Sequence, residues 1–318
     1  MMKKISIILL SIIIIMNFSI LKASSFCLSD KISLSLTYED SNKPDYKTSM
    51  KQDLLILMMA YPEYITDISC ENDNVYIVMK SGQKFIYDDK KDKTPEEKLA
   101  NPDLHDMLEQ IYPLTKTDEI MPRNFNPGRI RHYGLLNEVY GSSKNAVEKN
   151  LSALKYGYTN YQFNRQNKAN TALEDTMKEL IPLSKNNRKI AAILYPASGT
   201  YNYRFISGTG RLSPHAYGIT IDLKSDKRDY WKWSSEDQGK SRLCEYPDEL
   251  VAAFENHNFI WGGKWGYFDI LHFEYRPEII LKARYFTDYT NYGEWFRGVP
   301  SEDNYVKECI ELIDSKIK

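Results

Sequence analysis

The sequence predicts a chain that mixes helices with short antiparallel strands, and three observations say so. The run over residues 53–61 places Leu54, Leu55, Ile56, Leu57, Met58 and Met59 in succession and stops at Pro62, as a buried helix does. Residues 75–79 and 84–87 are two β-prone runs flanking Ser81-Gly82, a hairpin signal. Ala172, Leu173, Met177, Leu180 and Ile181 recur near helical spacing, so an amphipathic helix is expected over 167–183.

In chain order, the first element is an address. Residues 1–25 begin with Lys3 and Lys4, continue through the apolar run 5–16 and end in Ala23, Ser24 and Ser25, the outline of a secretory signal peptide. The run is shorter than the ~20 apolar residues that span a bilayer, so cleavage and export to the periplasm or cell exterior are expected, with no membrane span in the mature form; Phe18, Ile20 and Leu21 lengthen the run and leave an uncleaved anchor as the alternative. The helix and hairpin then form an N-terminal α/β unit over 26–100, whose charged stretch 88–98 reads as solvated loop or an exposed helix start. Residues 101–160 read as a helical connector, with helices over 104–111 and 147–154 broken by Pro122, Pro127 and Gly128. Residues 161–318 form the last domain: the amphipathic helix, a short buried strand over 190–195, then loops, strands and a helix over 248–255.

Composition narrows the function. The 318 residues are 42% hydrophobic and 27% charged, which argues against a coiled coil or a multi-span membrane protein. Lys plus Arg number 42 against 43 Asp plus Glu, so no basic field points to nucleic acid. Removing residues 1–25 takes Lys3, Lys4 and Lys22 and no acid, and the product is mildly acidic. Cys27, Cys70, Cys244 and Cys309 would share an oxidising compartment, where pairing is allowed; all three pairings are open, of which Cys27 with Cys70 and Cys244 with Cys309 would cross-link each half locally. No C-x-x-C spacing supports a thiolate metal site.

The chemistry lies in two stretches. In Ser213-Pro214-His215-Ala216-Tyr217-Gly218-Ile219-Thr220-Ile221-Asp222, an imidazole and a carboxylate stand seven residues apart across a glycine that lets the chain fold back. Ile219 and Ile221 alternate with Thr220 and Asp222, so a strand here turns Asp222 away from the core. The second stretch runs from Trp261-Gly262-Gly263-Lys264-Trp265 to Asp269-Ile270-Leu271-His272-Phe273-Glu274. Asp269 and His272 would face opposite ways on one strand, so the reading requires the strand to begin only at about Leu271. His215, Asp222 and His272 then supply two nitrogens and an oxygen to one Zn2+, leaving a fourth position for water, the mark of a catalytic site. Asp269 is left to serve as general base and acid. Arg204 is the candidate to stabilise the oxyanion, with Arg211 as runner-up.

These residues resemble the zinc D-alanyl-D-alanine carboxypeptidases of the VanY type, within the LAS group of peptidoglycan metallopeptidases. The likeness rests on S-P-H-A-Y-G-I-T-I-D, on Y-N-Y-R upstream, and on W-G-G-K-W followed by D-I-L-H-F-E, over residues 190–276. It implies His215, Asp222 and His272 as zinc ligands, Asp269 as acid/base, Arg204 at the carbonyl and Ser213 as a substrate contact. It also implies an α+β fold, a small antiparallel sheet flanked by helices and carrying the zinc (LAS/hedgehog-like), here with an added N-terminal α/β unit. Thr220 departs from the family's usual alanine, and the long N-terminal portion has no counterpart in the minimal catalytic domain.

The implied substrate is a peptidoglycan stem peptide, with loss of a terminal D-alanine and endopeptidase cleavage both open at this level. A wall-binding scaffold that keeps the metal for stability is the reading from another class, and Asp269 and Arg204 speak against it. His257 ends a helix ahead of Asn258 and reads as structural. His105 and His132 read as surface or packing residues. Trp261 and Trp265 suit a core, and Trp261 is also a candidate to shape the substrate site beside the acid.

Overall fold

The computed structural model describes residues 44–156, 159–287 and 293–318. The expected signal segment and Cys27 lie outside these residues. Apart from Tyr46 at the start of the first helix, the elements below belong to one unit, Lys47–Asp288 with Gly293–Lys318.

Helix α1 (Tyr46–Ala60) buries Leu54, Leu55, Ile56 and Leu57 completely, as befits a second half that is apolar on every side. A three-stranded antiparallel sheet follows: β1 (Ile65–Glu71), β2 (Asn74–Met79) and β3 (Lys84–Ile86). The expected hairpin is β2–β3, turning at Gly82 with φ +86°. β1 escaped the sequence reading because only Ile65 and Ile68 of its ITDISCE are buried, too sparse a signal to alternate.

Helix α2 (Pro95–Ala100) begins with a Thr94–Glu97 capping box, and α3 (Leu104–Leu108) with one between Asp103 and Asp106. The charged stretch before them is less solvated than expected. Lys93 is nearly buried, its Nζ 2.9 Å from Asp89 and 2.8 Å from Asp103.

After α4 (Tyr133–Tyr140) and α5 (Lys144–Asn150), the expected helix over 147–154 gives way to strand β4 (Leu151–Tyr156). Ser143 caps α5, Val147 is its one buried residue, and β4 pairs with β5 (Thr159–Asn164) from Leu151↔Asn164 to Tyr156↔Thr159. A single buried residue gives α5 little to hold a longer helix against strand pairing.

The amphipathic helix is α6 (Ala169–Asn186), with Leu173, Met177 and Leu180 buried. The strand expected over 190–195 is instead helix α7 (Arg188–Leu194). The Asn187 side chain accepts from the Lys189 and Ile190 amides, and Ile190, Ile193 and Leu194 fall on one buried face. A short apolar run fits either state until its cap is weighed.

The last sheet has the order β6-β8-β7, all antiparallel: β6 (Thr220–Asp222), β8 (His272–Tyr275) in the centre, and β7 (Phe259–Trp261). Helix α8 (Glu236–Leu243) precedes α9 (Asp248–Asn256), which covers β7 and touches α6. Phe254 of α9 stacks on Phe273 of β8 at 4.0 Å between ring centroids. Alternation along β8 sends Phe273 to this apolar layer and His272 and Glu274 to the opposite face. The result is a mixed α+β arrangement of small antiparallel sheets and helices, closed by α10 (Pro277–Tyr285) and α11 (Asn304–Lys316).

One apolar core runs through all of it, from Met50 and Leu54 to Ile313 and Ile317, so the N-terminal elements pack into the same interior as the last sheet. Buried polar links cross it: Lys282 of α10 pairs with Asp53 of α1, and Tyr61 donates to Glu278 at 2.8 Å. None of the described helices is long and apolar enough to cross a membrane.

Candidate metal centre

Register sets the first half of the site. In the β6–β8 pair Asp222 stands directly opposite His272, and its Oδ1 lies 2.9 Å from His272 Nδ1. The other carboxylate oxygen, Oδ2, is 3.1 Å from Nε2 of His215. His215 sits on a 3-10 turn (Pro214–Tyr217) that ends at Gly218, φ +68°. A Cβ at Gly218 would meet Leu151 Cδ2 at 2.6 Å, so glycine answers both the backbone angle and the close packing.

The ligand atoms of His215, Asp222 and His272 lie within 4.8 Å of one another, and the two imidazoles are 5% exposed. Their outer contacts fix which nitrogen faces inward. His215 Nδ1 lies 2.6 Å from the Thr200 carbonyl oxygen, which can only accept, so the proton sits there and the Nε2 lone pair is free. His272 turns Nε2 toward Glu274 Oε2 at 3.6 Å, an ion-pair separation, and presents Nδ1 to the cluster. Two imidazole nitrogens and one carboxylate, the imidazoles backed by the Thr200 carbonyl and by Glu274, fit Zn2+. A second acidic group, Asp88, Asp89 and Asp103, differs in kind, because Lys93 pairs with two of its members.

Glu274 belongs to a buried charge network. Its Oε1 accepts from Arg131 Nε at 2.7 Å, while Arg276 Nε donates to Glu278 at 2.6 Å and Glu278 accepts from Tyr61. Burial opposes the Glu274 charge, yet Arg131 and Arg276 keep its carboxyl well below the usual range. Asp222 is likewise held well below, with His215 and His272 overcoming burial. For His272 burial works against the imidazolium, but hydrogen bonding and charge from Asp222 and Glu274 push it up to about 10.

Asp269 comes from the loop between β7 and β8. Its amide donates to the Gly262 carbonyl at 3.0 Å and its carbonyl accepts from the His272 amide at 3.1 Å. A Cβ at Gly262 would stand 2.4 Å from the Asp269 carbonyl oxygen, so the glycine is what lets the loop close. β8 begins at His272, which frees Asp269 from the alternation that would have turned it away. Burial, with the Asp222 charge adding and both histidines and Arg129 opposing, pushes its carboxyl up to about 6.

Arg204 is exposed, and no ion pair or side-chain hydrogen bond engages it among the described residues. Its backbone is tied to the site, because its carbonyl accepts from the Ser213 amide at 2.9 Å and the Asn202 amide donates to the His215 carbonyl. Arg211 is committed to the Leu99 carbonyl. Ser213 is buried at the head of the His215 turn.

Trp261 does not take the expected place in a substrate site. It is 2% exposed, its indole N–H donates to the Ile270 carbonyl at 2.7 Å, and its ring lies nearly parallel to Phe273. A buried indole needs an acceptor, and this one finds it in the core. The face left over lines a separate cavity of about 280 Å³ with Leu114, Tyr246 and Val251. Trp265 is buried too, donating to the Pro127 carbonyl. The cysteine pairing of Cys244 with Cys309 does not form: Cys309 is buried in α11 and Cys244 faces the Asp118 carbonyl, and Cys70 has no disulfide partner among the described residues. His257 ends α9 before Asn258, whose φ is +66°.

Two arginines went unnoticed in the sequence. Arg131 holds Glu274, and Arg129 is half-buried and close enough to Asp269 for each to feel the other's charge. The only signal either offered was R-I-R after Pro127-Gly128.

Residues 207–275 match a family model described as D-alanyl-D-alanine carboxypeptidase. The matched span holds His215, Asp222, Asp269 and His272 and begins just after Arg204. It supports a carboxypeptidase-like peptidase for this part of the chain. No curated protein matches the sequence, and no solved structure does.

Proposed function

We propose that the chain is an exported zinc metallopeptidase that hydrolyses a peptide bond in the stem peptide of bacterial peptidoglycan, removing a terminal D-alanine. The observation that carries this reading is the convergence of His215 Nε2, Asp222 and His272 Nδ1, the two imidazoles backed by the Thr200 carbonyl and Glu274, beside a carboxyl poised at about 6. The family match over 207–275 supports the substrate class.

His215, Asp222 and His272 hold the metal. Zinc bound there supplies Lewis acidity and brings the pKa of water to around 7. Asp269 takes the proton of the attacking water on its carboxylate and returns it to the leaving amine, a double task suited to a carboxyl near 6. Arg204, free of any ion pair among the described residues, meets the carbonyl oxygen as charge develops there, and Ser213 orients the peptide. A scaffold that used the metal for stability would need neither Asp269 nor Arg204.

The test is zinc analysis of the purified protein joined to digestion of a defined muropeptide read by mass spectrometry. One equivalent of zinc and release of one alanine are expected, with activity lost to a chelator. A cut inside the peptide would favour the endopeptidase, and no product with zinc present would overturn the enzymatic reading.

A further inference from the structure

Among the described residues, the buried arginines are paired with carboxylates and half-buried Arg211 is held by the Leu99 carbonyl, whereas half-buried Arg129 has neither kind of partner. Arg131 holds Glu274 at 2.7 Å, Arg242 holds Asp229 at 2.8 Å and Arg276 holds Glu278 at 2.6 Å. Arg129 makes no ion pair and no side-chain hydrogen bond among the described residues. Its guanidinium lies 5.0 Å from the ring centre of Tyr267, two residues before Asp269.

The position is built rather than loose. Trp265 Nε1 donates to the Pro127 carbonyl at 2.8 Å, the Tyr267 amide to Asn126 Oδ1 at 2.9 Å, and the Gly266 amide to the Phe125 carbonyl at 2.8 Å. The segment that carries Arg129 is therefore sewn along the loop that carries Asp269. Arg131 donates to the Arg129 carbonyl at 3.0 Å, anchoring the backbone from the other side. A guanidinium so placed has lost water without an anion in hydrogen-bond contact, and burial together with Arg131 pulls its pKa down, with the charges of Tyr230 and Asp269 opposing. An anionic ligand would relieve both costs.

In the site as read above, Asp222 and Asp269 offset the charge of a bound Zn2+ and Arg204 is assigned to the carbonyl oxygen. A peptide ending in a free carboxylate then needs a further local cation, and an internal peptide bond does not. We propose that Arg129 forms the subsite for the free α-carboxylate of the substrate's terminal residue, so that the enzyme cuts from the carboxyl end. This rests on the peptidase reading above and decides between its two forms.

The test uses acetyl-L-lysyl-D-alanyl-D-alanine and its C-terminal amide as probes. Binding is measured by calorimetry on zinc-loaded Asp269→Asn protein, with and without Arg129→Gln or Arg129→Lys, and hydrolysis is measured on the wild type and on Arg129→Gln alone. The acid should bind roughly 10- to 100-fold more tightly than the amide. Arg129→Gln should erase that difference while leaving the amide unchanged, Arg129→Lys should restore part of it, and in kinetics KM should rise more than kcat falls. Equal binding of acid and amide by the Arg129 protein would overturn the subsite, as would equal weakening of both by Arg129→Gln. If the wild type hydrolyses acid and amide alike, the subsite fails and the peptidase stands. If binding discriminates through Arg129 but no hydrolysis occurs, the peptidase reading fails and the subsite stands, and no binding of either probe overturns the subsite as well.

Discussion

Arg131 and Glu274 are 143 residues apart in the chain and 2.7 Å apart in the fold, Nε to Oε1, and Glu274 is fully buried. The pair stands directly behind His272, so the surroundings of a proposed metal ligand include an arginine outside the matched family segment.

Glu274→Gln tests whether the metal centre depends on that pair. The substitution keeps the shape but removes the anion that Arg131 and Arg276 face, a loss of about 3–5 kcal/mol for a broken buried pair. Zinc affinity should fall 10- to 100-fold as His272 loses its brace. Thermal unfolding and chelator competition measure the two, and unchanged zinc affinity would remove Glu274 from the support of the centre.

Asp269→Ala should lower hydrolysis by about 10²–10⁴-fold while zinc content stays the same. As the base must be ionised and its carboxyl sits at about 6, kcat/KM of the wild type should fall as pH drops through 6. A pH–rate profile that is flat from 5 to 8 would contradict the assignment.

His132 gives a stability test. Its Nδ1 accepts from the Leu135 amide at 3.1 Å and so caps α4 as a neutral ring, and burial pushes its pKa down from 6.5 to about 4. The unfolded chain therefore takes up a proton that the folded one refuses between these values. The stabilisation is complete above pH 6.5 and is lost as pH falls toward 4, about 2 kcal/mol after allowing for partial solvent access. His132→Asn keeps a capping acceptor, and its urea unfolding should lack that component; identical pH dependence in both proteins would refute it.

Thr220 is fully buried on β6, and its hydroxyl finds no hydrogen-bond partner among the described residues. Thr220→Val replaces that hydroxyl with a methyl and should raise stability by about 1 kcal/mol. A fall in melting temperature would show that the hydroxyl has a partner in solution.

What could be read from the sequence was what neighbours along the chain decide. The spacing from His215 to Asp222, and the late start of the strand after Asp269, are local, and the residues converge as that spacing suggested. Helices α1 and α6 announced themselves through long apolar patterns. Residues 190–195 did not, because six apolar positions suit either state and the Asn187 cap decided. Glu274 stood in a quoted motif without a role, since its partner Arg131 is visible only once the chain has folded. Trp261 went astray for the same reason, its acceptor being set by how the loop closes on Ile270.

The file of buried charges from His272 through Glu274, Arg276 and Glu278 to Tyr61 makes the centre non-portable. Excising residues 207–275 as a minimal enzyme would strip Arg131, Arg276 and Tyr61 from a strand that was never meant to face water alone. What looks like an N-terminal appendage is the counterweight that keeps an acidic strand inside a protein, and grafts or truncations of this chain must carry it along.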